Sequence, residues 1–142
     1  MTNNLISKST VTIKAPVSRV WAALTDPEMI KEYLFGTEVV SDWQVGSSIT
    51  YKGEWKGHKY EDKGVILEIV PEKLLVSTYW SSMSGEEDTP ENYKKVTYEL
   101  HSDGDQTTLS ISNDHNATEE AQKESQGNWD MVLVKLKELL EK

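Results

Sequence analysis

The sequence predicts an α+β fold: an antiparallel sheet of about seven strands, two short helices after the first strand and a long C-terminal helix. Period-two alternation runs from Thr37 to His115 and is broken at short intervals by turn residues. Helical spacing is confined to two short stretches after the first strand and one long stretch at the end. The connections between alternating runs are of hairpin length, which antiparallel pairing permits and parallel pairing does not.

In chain order, Leu5 to Ala15 alternates, with Val11, Ile13 and Ala15 on one face and Thr10, Thr12 and Lys14 on the other, as a half-buried strand should. Pro16 suits a first helical position, and Val17, Val20, Trp21 and Leu24 then recur at helical spacing. Asp26-Pro27 is a second start signal, an N-cap followed by Pro at the first helical position, leading into 28–34. Six strands follow near 37–43, 47–55, 59–70, 74–81, 93–101 and 106–115. Their turns are Gly46-Ser47, Lys56-Gly57-His58, Pro71-Glu72-Lys73 and Asp103-Gly104-Asp105. The long break from Ser82 to Asn92 is acidic and turn-rich and reads as a mobile loop.

A helix is predicted from about 117 to 141. Asn116 with Glu119 three residues on resembles a capping box, and Trp129, Val132, Leu133, Leu136 and Leu140 form one apolar stripe. The preceding stretch, 121–128, is too polar for a dry core. Gly127 within it costs about 0.8–1 kcal/mol relative to Ala in a helix interior, so a close approach or a bend is expected there.

At 142 residues with 37% apolar content the chain can bury one sizeable core, and a single domain over 1–142 is expected. The absence of Cys excludes disulfides, thiolate chemistry and Cys-ligated zinc, and makes a reducing cytoplasm the expected compartment. No stretch approaches the roughly 20 apolar residues of a membrane span, and Met1-Thr2-Asn3-Asn4 does not open an export signal. A net charge of −9 repels phosphate backbones and anionic lipid, so neither nucleic acid nor membrane is expected as a partner. Five Trp and six Tyr stand against one Phe, a choice that suits walls both apolar and partly wet.

Three stretches carry a resemblance. They are Val11-x-Ile13-x-Ala15-Pro16-x-x-x-Val20-Trp21-x-Ala23-Leu24-Thr25-Asp26-Pro27, then Gly64-Val65-Ile66-Leu67-Glu68-Ile69-Val70-Pro71-x-x-x-Leu75, and Gly127-Asn128-Trp129-x-x-x-Leu133-x-x-Leu136-Lys137-x-x-Leu140-Glu141. Over nearly its whole length the chain resembles the START-like, birch-pollen-allergen-type superfamily, and within it the branch named for the homologue of the 90-kDa heat-shock-protein ATPase activator. The resemblance departs at Gly46-Ser47, where relatives carry two glycines, and at Gly127-Asn128-Trp129, where they carry a Gly-Trp pair. It implies a helix-grip fold, in which a curved sheet grips the last helix across its concave face. It also implies a hydrophobic cavity between them, used by relatives for lipids, polyketides, hormones and flavonoid-like molecules. The cochaperone resembles this chain only in its C-terminal part and needs a further N-terminal domain, so the chaperone is not expected as a partner.

Alternation over 47–55 puts Ile49, Tyr51, Gly53 and Trp55 on one face, the side expected to meet the helix. For the next two strands hydrophobicity alone does not choose a face. The family pattern would turn Tyr60, Asp62, Gly64, Ile66 and Glu68 inward, making Glu68 a buried carboxylate, and likewise Leu75, Ser77 and Tyr79. The candidate ligand-binding residues are therefore Ile49, Tyr51, Trp55, Tyr60, Tyr79 and Trp129, with Ser125 one turn before Trp129 near the mouth. Each large aromatic, Trp43 included, can equally be core filling. A wall of indoles and phenols with few polar groups is the usual chemistry of a small-molecule pocket.

His58, His101 and His115 are far apart in sequence and show no metal-ligand spacing, Ser82-Met83-Ser84-Gly85 is not a nucleophile elbow, and Glu86-Glu87-Asp88 lacks the alternate-position oxygens of a calcium loop. No catalytic residue, metal or cofactor is assigned. The leading expectation is non-catalytic binding, for transport or sensing, of a small hydrophobic or aromatic molecule. The alternatives are a cyclase- or hydrolase-like enzyme using a cavity carboxylate or tyrosines, and a protein-interaction module related to the chaperone activator.

Overall fold

The computed structural model describes residues 5–33, 36–55, 57–81, 87–89, 92–116 and 118–141. Its strands are β1 (Leu5–Ile13), β2 (Glu38–Ser41), β3 (Ser48–Trp55), β4 (His58–Val70), β5 (Leu74–Tyr79), β6 (Lys94–Asp103) and β7 (Gln106–Asn116). Helices α1 (Val17–Thr25) and α2 (Pro27–Tyr33) follow β1, and α3 (Glu119–Leu140) closes the chain. All seven strands form one antiparallel sheet in the order β1-β7-β6-β5-β4-β3-β2, so the meander β2 to β7 is completed by β1 returning beside β7. The expected α+β architecture is the one observed.

The connections follow local chemistry. β3 and β4 join through a two-residue turn with Gly57 at φ 83°, and β6 and β7 through Gly104-Asp105 with Gly104 at φ 64°, conformations that cost glycine little. The carboxylate of Asp26 accepts the backbone N–H of Glu28 at 3.0 Å, capping α2 as its position before Pro27 predicts. Pro16 sits at the N-cap of α1 rather than inside its first turn. The cap of α3 is Thr118, whose hydroxyl accepts from Ala121 N at 3.0 Å, and not Asn116, because β7 extends through Asn116. The capping-box assignment was two residues early.

α3 lies along β1 and reaches β7, α2 and α1. Leu133, Leu136 and Leu140 are fully buried against Ile13, Leu109, Ile111 and Val20, and burial of each such side chain stabilises by roughly 1.5–3 kcal/mol. The N-terminal half of the helix docks differently. Ser125 Oγ meets Ser7 Oγ at 3.0 Å, Ser9 Oγ donates to the carbonyl of Gln126 at 3.3 Å, and Gln122 Nε2 donates to the carbonyl of Ile6 at 2.6 Å. The polar stretch thus meets β1 through hydrogen bonds instead of apolar contact.

β4 carries two irregularities that the alternation does not announce. At Gly64 the neighbouring strand comes so close that a Cβ would lie 1.7 Å from the carbonyl oxygen of Thr78. Between Ile66 and Glu68 the register with β5 slips by one residue, a β-bulge. Asp62, Gly64 and Ile66 are buried as the family pattern implies, but the extra residue at Leu67 turns Glu68 out into solvent. The expected buried carboxylate at Glu68 is therefore corrected to an exposed one.

The acidic break expected to be mobile falls partly outside the described residues. Of the described part, Asp88 pairs with Lys63 Nζ at 2.5 Å and accepts from the Tyr93 hydroxyl at 2.5 Å, while Asn92 Nδ2 donates to the carbonyl of Glu87 at 2.8 Å. Trp80 stacks on Tyr93 with ring centroids 6.4 Å apart and lies under Lys63 Nζ. That end of the loop is tied to the outer face of β4 and β5.

Two glycines should respond to alanine with opposite signs. At Gly127 nothing lies within 4 Å of an added Cβ and the backbone is helical, so neither the expected close approach nor any other crowding is found. Gly127→Ala should stabilise the protein by about 0.5–1 kcal/mol. Gly64→Ala meets backbone that cannot yield and should destabilise by at least about 2 kcal/mol. Urea unfolding of both variants checks the pair.

Candidate functional site

The concave face is polar in a way a structural core is not. On β3, β4, β5 and β6 the residues Tyr51, Asp62, Ser77, Tyr79 and Tyr98 share the inner face of the sheet, and from the helices Tyr33 and Trp129 pack into the same core. Asp62 is 7% exposed and Ser77 3%. The Tyr79 hydroxyl donates to Asp62 Oδ2 at 2.5 Å. The Tyr79 ring meets Tyr51 edge to face, centroids 5.7 Å apart, and Tyr98 meets Trp129 in the same manner at 6.1 Å. Such aromatic pairs contribute about 0.5–1.5 kcal/mol beyond burial.

Burial governs the electrostatics. It pushes the Tyr98 phenol up to about 12, because the phenolate would lose its hydration. Burial raises Tyr51 well above the usual phenol range, and Tyr98, Tyr79, Tyr33 and Asp62 around it add to the rise. Tyr79 is raised for the same reason and further by its hydrogen bond to Asp62. Tyr33 is raised by burial and by Tyr98. The phenols are therefore neutral at every physiological pH, each keeping its O–H.

The predicted site residues divide into groups. Tyr51 and Tyr79 form one of the aromatic pairs just described, and Trp129 belongs to the other. Ile49 is 2% exposed and packs in the core on the same face. Tyr60 stands apart from the linked rings: its hydroxyl meets Thr37 Oγ1 at 2.6 Å, and its ring covers Gly53, its partner across the β3–β4 ladder, where a Cβ would lie 2.2 Å from the phenol oxygen. Ser125 is engaged with Ser7 of β1. Trp55 pairs with His58 at the end of the β3–β4 hairpin, and its side chain lies outside the described residues. Trp43 is half-buried against the core with φ 56°.

Sequence reasoning left three members of the set unassigned as ligand contacts. Tyr98 was legible in principle, since Val96, Tyr98 and Leu100 alternate along β6 and the first and last of them are buried. Tyr33 lies on α2, where its hydroxyl also donates to the carbonyl of Ala23 at 2.8 Å and ties the two short helices together. Asp62 was given an inward face but no partner, and Tyr79 lies 17 residues away in sequence. Among the described residues no three His, Asp or Glu side chains are grouped as a metal site requires. None of the described helices is long and apolar enough to cross a membrane.

Known structures share this architecture. ChR145 from Cytophaga hutchinsonii is 46% identical, matching 99% of this chain and 97% of its own with a TM-score of 0.87. The Aha1 dimer from Colwellia psychrerythraea is 20% identical over 96% of both chains with a TM-score of 0.73. DynU16, of the dynemicin biosynthetic locus, is 18% identical with a TM-score of 0.80, matching 96% of this chain and 47% of its own. At these last two identities the likeness speaks for fold alone. No curated protein matches the sequence. The sequence pattern described as Activator of Hsp90 ATPase homolog 1-like protein matches residues 14–141, in agreement with the START-like resemblance. The chain belongs to that family.

Proposed function

We propose that this protein binds a small planar aromatic molecule, without chemical conversion, between the concave face of the sheet and α3. The observation that carries the reading is the presence of two aromatic pairs, Tyr51–Tyr79 and Tyr98–Trp129, in one core, with the Tyr79 hydroxyl bonded to the buried Asp62. A protein needing only a dry core would have no use for a buried carboxylate, since desolvating it costs several kcal/mol before any compensation. Broad aromatic walls with a few placed polar groups are what recognition of an aromatic ligand requires. Lipids, which offer no ring to stack, fit this wall less well.

The enzymatic alternative finds less support. A nucleophilic or basic tyrosine needs a lowered pKa, and burial moves Tyr51, Tyr79 and Tyr98 the other way. A neutral phenol can orient a ligand by hydrogen bonding but attacks nothing at neutral pH. The activity in the family's name belongs to the protein it was named for. The location of DynU16 in a biosynthetic locus supports small-molecule chemistry for this fold.

Two outcomes are expected. 2-Naphthol, a neutral planar aromatic, should bind with quenching of tryptophan emission, and its affinity should change little with salt because apolar contact drives it. Trp129→Ala and Tyr79→Ala should each weaken it about tenfold or more. Calorimetry on folded variants checks this, and unchanged affinity in both would contradict the proposal. The second outcome concerns alkaline titration. With Tyr98 raised to about 12, folding favours the neutral phenol, so its contribution to stability is complete below pH of about 10 and lost as pH climbs toward 12. Phenolate absorbance at 295 nm should therefore rise late and together with the loss of near-ultraviolet circular dichroism. Full ionisation near pH 10 with the dichroism retained would contradict the burial of these phenols.

A further inference from the structure

We infer that this protein pairs with a second copy of itself through the solvent face of α3, the two helices packing antiparallel about a two-fold axis. The observation behind it is a stripe along α3 that the protein's own fold does not use. Lys123, Gly127, Met131, Val134 and Glu138 recur at helical spacing, and at roughly 3.6 residues per turn they point about 150° away from the buried line of Leu133, Leu136 and Leu140. All five are exposed, Met131 by 48% and Val134 by 53%. Gly127 has nothing within 4 Å of an added Cβ, so no contact inside the protein accounts for a glycine in mid-helix. Among the described residues, Lys123 and Glu138 enter no ion pair.

The stripe is complementary to itself when reversed. With the axis near residues 130 and 131, a single register sets Glu138 of one copy against Lys123 of the other and Val134 against Gly127. Opposite charges meet at both ends. In the middle the bare backbone at Gly127 receives the Val134 side chain and lets the helix axes come close. Met131 lies beside the axis and meets Met131 of the other copy, where an unbranched thioether fills an irregular gap well. A contact of this isologous kind closes on itself, giving a dimer and not a filament. It spans only about 22 Å of helix, a small interface, so the association is weak. Asp130 flanks the axis and, with the net charge of −9 on each copy, opposes pairing. At 0.15 M salt, charges farther apart than about 8 Å are largely screened, whereas the two Lys123–Glu138 contacts are not.

Sedimentation equilibrium of the full chain at 0.15 M salt should show monomer and dimer in exchange, with a dissociation constant of about 10–500 μM. Gly127→Gln suits the helix and meets open space in the monomer, yet it occupies the place of the incoming Val134. It should therefore weaken the dimer about tenfold or more while the melting temperature of the dilute protein stays equal or rises. Lys123→Glu should weaken it about threefold, and adding Glu138→Lys should restore it to within about twofold, because the reversed pair attracts again. A protein that stays monomeric at 1 mM would overturn the inference. So would a dimer indifferent to Gly127→Gln and to the charge reversals, which would move the contact to another face, such as the exposed Val65 and Leu67 of β4.

Discussion

The approach of β5 to β4 at Gly64 is the constraint on which the rest of the structure depends. With any side chain there, the carbonyl of Thr78 could not come so near, and the Lys63–Trp80 bridge beside it would have to open. The residue after Thr78 is Tyr79 and the inward residue before Gly64 is Asp62, so the close approach is also what carries a phenol onto a buried carboxylate. Val65 N donates to Thr78 Oγ1 at 2.9 Å on the opposite face and fixes the same pair of strands from outside. Glycine at this one position thus permits the close strand approach that sets Tyr79 beside Asp62.

The second organising feature is the division of α3. Its C-terminal half is anchored by three fully buried leucines, and its N-terminal half by hydrogen bonds of Ser125, Gln126 and Gln122 with Ser7, Ser9 and Ile6 of β1. Apolar burial of this kind contributes several kcal/mol, whereas exposed or half-buried hydrogen bonds contribute about 1 kcal/mol each. The helix is therefore held firmly at one end and lightly at the other, with Trp129 at the boundary resting on Tyr98. A ligand lying against Trp129 would have the lightly held half as its neighbour.

Most of the architecture could be read from alternation, because β2, β3 and β6 keep one face throughout, β1 and β7 do so away from the irregularity between Leu5 and Ser7, and every hairpin has its glycine or its polar turn. β5, which buries Leu75, Val76 and Ser77 in succession, shows no such alternation. The helix stripe from Trp129 to Leu140 was equally plain. What alternation cannot register is an inserted residue: the bulge at Leu67 reversed the face of Glu68 without any change in residue character. Caps are similar, since Asn116 and Thr118 are both good capping residues, and only the length of β7 decides between them. The aromatic set was partly legible. Tyr51 and Trp129 follow from periodicity, the face of Tyr79 came from the family pattern, and the Tyr79–Asp62 bond depends on a register that no spacing encodes.

The most direct test is to locate a bound aromatic in solution. Intermolecular nuclear Overhauser effects between 2-naphthol and the protein should connect the ligand to ring protons of Tyr51, Tyr79, Tyr98 and Trp129. Effects confined to the groove lined by Pro71, Leu74 and His101 at the other end of β5, or to the outer face around Trp80 and Tyr93, would contradict the account.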